Sequence, residues 1–208
     1  MRFIHRSSIM LLAVMLFTIF AAPNARALCL KSEVESYKKL AAQGNVKSLF
    51  LLGVCNQTGA DEFPQDLNEA IRLYTKLSGL GHVGAQYNLA IMYFNGQGVP
   101  KDIQRAVDMF IKVAEQGYVN AQILLGSMYL RGQNLPQDYQ EAFKWFTKAA
   151  QKENSEAQYN LGVMYEKGLG VPQDFEVAVY WVTKAAEQGN KDGQYYLGKM
   201  SCRVIGKQ

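Results

Sequence analysis

Between residues 85 and 192 the apolar and polar positions of the chain recur every 36 residues. The last of these units shows the pattern in full. Ala157, Leu161, Met164 and Tyr165 fall at i, i+4, i+7 and i+8, which places them on one face of a helix. Gly168 stops that helix, Gly170 follows in the turn, and Pro172 fixes the connector. Asp174 then stands where a second helix needs a side-chain cap. That second helix carries Ala178, then the bulky pair Trp181-Val182, and ends at Gly189. One unit earlier come Ala121, Met128-Tyr129, Gly132, Asn134, Pro136 and Asp138, and before them Ala85, Met92-Tyr93, Gly96, Gly98, Pro100 and Asp102. Asn at 134 in the place of a glycine supports a turn with positive φ, because Asn tolerates that region best among non-glycine residues. A fixed period of roughly 20 to 50 residues signals stacked structural repeats, each unable to cover its own apolar face alone.

The rest of the chain is measured against that period. Glu33–Gln43 reads as a helix ending at Gly44 that matches only the second half of a unit. Its Tyr37, Leu40 and Ala41 take the places held later by Phe110, Val113 and Ala114. The organisation is therefore a half unit at 33–47, a degenerate unit at 48–84, full units at 85–120, 121–156 and 157–192, and a first half at 193–202. That predicts an all-α domain over 28–208, with about ten helices in antiparallel pairs. Gly53, Gly126, Gly162 and Gly198, with Ala90 at the equivalent place, sit mid-helix. An interior Gly costs about 1 kcal/mol against Ala, so its recurrence predicts close approach of a neighbouring helix. Asp66, Asp102, Asp138 and Asp174 are predicted caps, and Glu69 and Glu141 are placed to complete capping boxes. Glu153 replaces the terminal glycine of its unit, and Asn154 is expected to serve in its stead.

The run A-x-x-x-L-G-x-M-Y-x-x-G-x-G-V-P-x-D, followed by A-x-x-W-x-x-K-A-A-x-Q-G, resembles the Sel-one-like repeat, a relative of the tetratricopeptide repeat. The amino-terminal unit departs from it, with Cys55-Asn56 where Met-Tyr is expected and an altered loop at 58–63. The resemblance implies a right-handed α/α superhelix (solenoid) that serves as an adaptor or scaffold for other proteins. It also implies that the first helix of each unit lines a concave side. The groove-facing positions are then Tyr87, Ile91 and Phe94; Ile123, Ser127 and Leu130; Tyr159, Val163 and Glu166; and Tyr195 with Lys199. A row of Tyr87, Ile123, Tyr159 and Tyr195 is apolar for a solvent-facing line, as partner sites are. The competing reading buries these side chains against neighbouring units.

The first 27 residues change the picture of charge and compartment. Arg2 and Arg6 precede an apolar run from Ile9 to Ala22, and Ala25-Arg26-Ala27 supplies a small-x-small cleavage site. A signal peptide over 1–27 is expected, with export to the periplasm or beyond the cell and no membrane span in the remainder. The chain has 22 Lys+Arg against 18 Asp+Glu; removing Arg2, Arg6 and Arg26 leaves 19 against 18. That near-neutral balance gives no basis for nucleic-acid binding. In an exported protein an oxidised cysteine pair is expected, and Cys29 and Cys55 would sit at one open end of a helix hairpin turning near Gly44-Asn45. Three free thiols, counting Cys202, are the alternative.

Candidate chemistry is sparse. His82 is the one histidine after residue 27, which supplies neither a zinc cluster nor a triad with its nucleophile motif. Gly-x-Gly at 96–98 and 168–170 follows a helix and lacks the Lys-Ser/Thr ending of a phosphate loop. Asn56-Gln57-Thr58 fits a glycosylation sequon. The expectation is a protein-interaction module with no catalytic residues, metal or cofactor, whose carboxyl-terminal end supports self-association. An envelope enzyme or a binder of cell-wall fragments using the same groove is the alternative.

Overall fold

The computed structural model describes residues 29–59 and 63–205. The fold is all-α, as predicted, with ten helices among the described residues. They are α1 (Lys31–Ala42), α2 (Val46–Thr58), α3 (Leu67–Gly79), α4 (Val83–Asn95), α5 (Ile103–Glu115), α6 (Val119–Arg131), α7 (Tyr139–Ala150), α8 (Ser155–Lys167), α9 (Phe175–Glu187) and α10 (Lys191–Ile205). Two compact units divide the chain between Lys101 and Asp102, one holding α1–α4 and the other α5–α10. The expected signal segment, 1–27, lies outside the described residues, as does the side chain of Cys202.

Local signals act as the repeat pattern requires. The carboxylates of Asp66, Asp102, Asp138 and Asp174 each accept the backbone N–H three residues on, at 3.0 Å. The two capping boxes do not close. The N–H groups of Asp66 and Asp138 donate to the carbonyls of Asn56 and Tyr129 at the end of the preceding helix. With that donor already satisfied, Glu69 turns to Arg72 and Glu141 to Lys144. Asn134 does take a positive φ of 63°, matching Gly98 and Gly170.

Glu153 behaves differently from expectation. It adopts a φ of 60° itself, in the place where Gly81, Gly117 and Gly189 hold 78–86°. Asn154 instead caps α8 by accepting from the Ala157 N–H. A non-glycine residue in the left-handed region costs roughly 1–2 kcal/mol. Glu153→Gly is therefore expected to raise stability by about 1 kcal/mol, after the added freedom of the unfolded glycine is allowed for. A urea unfolding midpoint that stays put or falls would count against this account.

Between helices, large side chains sit over small ones. A Cβ added at Gly53 would lie 2.6 Å from the Tyr74 ring, at Gly126 2.9 Å from the Phe146 ring, and at Gly162 2.6 Å from a Val182 methyl. The predicted close approach is thus real at these three places. At Gly198 it is not: nothing lies within 4 Å. In the second unit Ile123, Ala142, Phe146, Ala149, Ala157, Leu161 and Met164 form one buried cluster.

A repeated glutamine ties helix to helix. Gln86, Gln122, Gln158 and Gln194 each donate from Nε2 to a carbonyl eight residues back, those of Ser78, Ala114, Ala150 and Ala186. Those carbonyls lie in the last turn of the preceding helix, where each also accepts the backbone N–H three residues on, from Gly81, Gly117, Glu153 and Gly189.

Candidate functional site

The faces assigned to partner binding are built on α4 in one unit and on α6, α8 and α10 in the other. On α4, Tyr87, Ile91 and Phe94 follow one another at i, i+4 and i+7 and are all half-buried. On α8, Tyr159 and Val163 are likewise half-buried, while on α10 Tyr195 is 68% exposed. Its ring carries the Lys199 ammonium 5.3 Å from the centroid. α6 departs from the row. Ile123 is only 6% exposed and belongs to the core cluster around Phe146 and Leu161, and Leu130 packs partly against the same cluster. Within its own unit, Ile123 is therefore equivalent by the repeat to Tyr159 and Tyr195 but does not lie at the same depth.

The second unit gathers a group that the periodic reading only partly identified. The rings of Tyr159 and Tyr196 meet edge to face at 5.7 Å and 85°. Tyr196 donates its hydroxyl to a carboxylate oxygen of Glu166, a residue buried to 7% exposure. Burial first, then the nearby charges of Asp192 and Glu166, push the Tyr159 phenol above its ordinary range. It stays protonated at neutral pH and keeps a hydrogen to donate. Tyr196 was missed because the period singles out Tyr195; the tandem tyrosine was the available signal.

The remaining candidates resolve into structural roles. His82 caps α4, its Nδ1 accepting the Ala85 N–H at 3.1 Å, and its ring stacks on Phe50 at 4.7 Å. The lone pair a catalytic base would use is thereby committed. Among the described residues no group of three or more His, Cys, Asp or Glu could hold a metal ion. Asn56 is buried and donates its side-chain amide to the Leu52 carbonyl, so the sequon is not presented. Cys29 and Cys55 form a disulfide, with Cα atoms 5.4 Å apart. Cys55 occupies the place of Met92, Met128 and Met164 and is as buried as they are. No helix among the described residues is long and apolar enough to cross a membrane.

The model of the Sel1 repeat family matches four consecutive stretches, residues 46–82, 83–118, 119–154 and 155–190. Among solved structures, a protective antigen with an SLR fold from uropathogenic Escherichia coli is 36% identical, with a TM-score of 0.75 over 82% of this chain. A Sel1 repeat protein from Oxalobacter formigenes is 30% identical, with a TM-score of 0.73 over 89% of this chain. The chain spans 36% of the length of the first and 74% of the second. An immunity protein from Pseudomonas aeruginosa shares the fold at 22% identity and a TM-score of 0.56, covering 82% of this chain and 68% of its own. Among curated proteins none matches.

Proposed function

The chain belongs to the Sel1 repeat family, and from that premise we propose that it is an exported, non-enzymatic adaptor. A protein or peptide partner lies against the tyrosine-bearing faces of the first helices. The observation that carries the reading is Tyr195, a large aromatic side chain left 68% exposed on the same helix as Tyr196, whose ring meets Tyr159. Tyrosines of this kind supply binding energy at low cost in conformational freedom. Export is supported by the signal-like amino terminus and by the disulfide, which persists in oxidising compartments. The periplasm or the cell exterior is the location that fits, with no metal or cofactor required. The carboxyl-terminal end also supports self-association, since nothing lies within 4 Å of a Cβ added at Gly198 on α10.

Capture from envelope extract tests the adaptor reading. A partner protein retained by the wild type should bind about 30-fold more weakly to Tyr87→Ala/Tyr159→Ala and to Tyr195→Ala, the loss expected of a hot-spot tyrosine. Helical content should be unchanged. Retention of glycan fragments alone would favour the cell-wall alternative, since exposed tyrosine rings also suit sugars. Equal capture by wild type and variants would place the working surface elsewhere.

A further inference from the structure

The two ends of the described chain are complementary halves of one repeat. In three places the first helix of a unit receives a bulky residue of the following helix over its central glycine: Tyr74 over Gly53, Phe146 over Gly126, Val182 over Gly162. The first-type helix α10 carries the same glycine at 198, with nothing within 4 Å of an added Cβ. At the other end, α1 is a second-type helix with no first-type helix before it among the described residues. The exposure of its side chains records that. Leu40 is 39% exposed, whereas the residues in its place in later helices, Leu77, Val113, Ala149 and Ala185, are 0–1% exposed. Tyr37 is half-buried, whereas its equivalents Tyr74, Phe110, Phe146 and Val182 are all 0% exposed.

We propose that copies of this chain assemble head to tail, α1 of one copy docking on α10 of the next with Tyr37 seated over Gly198. The proposal rests on the self-association reading above and names its occupant. The pairing completes the half unit at each end with the same small-against-large contact used inside the chain. Because two different patches meet, the contact is heterologous and each added copy leaves both types of end free. The junction is weaker than the internal ones for a specific reason. Glu33 stands where the later helices carry Ala70, Ala106, Ala142 and Ala178, all 0% exposed. Drawing a carboxylate towards such a position costs free energy unless it finds a partner. Assembly is therefore reversible and dependent on concentration.

Sedimentation velocity over about a hundredfold range of concentration, on the purified protein with its disulfide intact, tests this. The wild type should gain mass as concentration rises. Leu40→Glu spoils the α1 face and Gly198→Leu fills the notch on α10; both positions are exposed, so the fold should survive. Each variant alone should stay monomeric, while an equimolar mixture should form dimers and go no further. Glu33→Ala should tighten assembly by about tenfold or more, a gain that no folding defect can mimic. A wild type that remains monomeric throughout overturns both self-association and this register. A wild type that associates, with Leu40→Glu associating equally well alone, leaves self-association standing and overturns the head-to-tail pairing.

Discussion

Replacing Gly170 by alanine is expected to cost about 3 kcal/mol of stability, the largest effect of any single methyl addition in the second unit. Two terms combine. Gly170 holds a φ of 69°, and a residue with a Cβ loses roughly 1–2 kcal/mol there. The added Cβ would also overlap the carbonyl group of Tyr139 and lie 2.9 Å from the Gln140 nitrogen. Those are backbone atoms in the first turn of α7, where Asp138 accepts from the N–H groups of Gln140 and Glu141. They cannot step aside as a flexible side chain would, so an overpacking cost of roughly 1–3 kcal/mol is added. Gly189→Ala is the matched control. Its φ is 81° but nothing lies within 4 Å of the new methyl, so only the backbone term should be felt. Urea unfolding of the two variants separates the terms, and equal losses would remove the steric part of the argument.

Breaking the Cys29–Cys55 bridge is expected to have an effect of similar size, centred on α1. The bridged residues are separated by 26 positions, and the chain-entropy relation assigns a loop of that length about 3.5 kcal/mol. α1 depends on the bridge more than any other helix would. Val34 is its only buried residue, so little packing remains to hold it once the covalent link is cut. Cys29→Ala/Cys55→Ala, or reduction of the wild type, should raise amide exchange across 31–42 well before the second unit is affected. Assembly through α1 should weaken in parallel. Unchanged protection in α1 would show that packing alone keeps it docked, and would take away the bridge's assigned role.

Much of the fold was legible in the residues because its determinants are local. A helix face is set by spacing within a dozen positions, a cap by a carboxylate three residues from the N–H it accepts, a turn by glycine or by Asn134. All of these recur with the 36-residue period, and the helices α4 to α9 follow it. Even Cys55, out of pattern by type, lies in the core at the place of a methionine, since the helix phase and not the residue decides which way it points. The pairing of Cys29 with Cys55 was likewise legible, from the expectation of export and from the hairpin that brings the two residues to one end.

What the residues alone could not decide were quantities set by the next layer of structure. Ile123 and Tyr195 are equivalent in the period, yet one is 6% and the other 68% exposed, because the first packs with Phe146 and Leu161 and no helix among the described residues follows the helix that carries the second. Gly162 and Gly198 are equivalent too, and only the first is covered. The capping boxes failed because the N–H groups of Asp66 and Asp138 had already met carbonyls across the connector. The Tyr196–Glu166 contact joins residues 30 positions apart and has no counterpart in the repeat. By itself, then, the sequence determined the family, the helix pairs, their caps and the residues that share each face, because those follow from interactions along a single helix or turn. Only the tertiary structure decided which of these faces stay uncovered, because burial depends on what the neighbouring helix brings and on whether one is there.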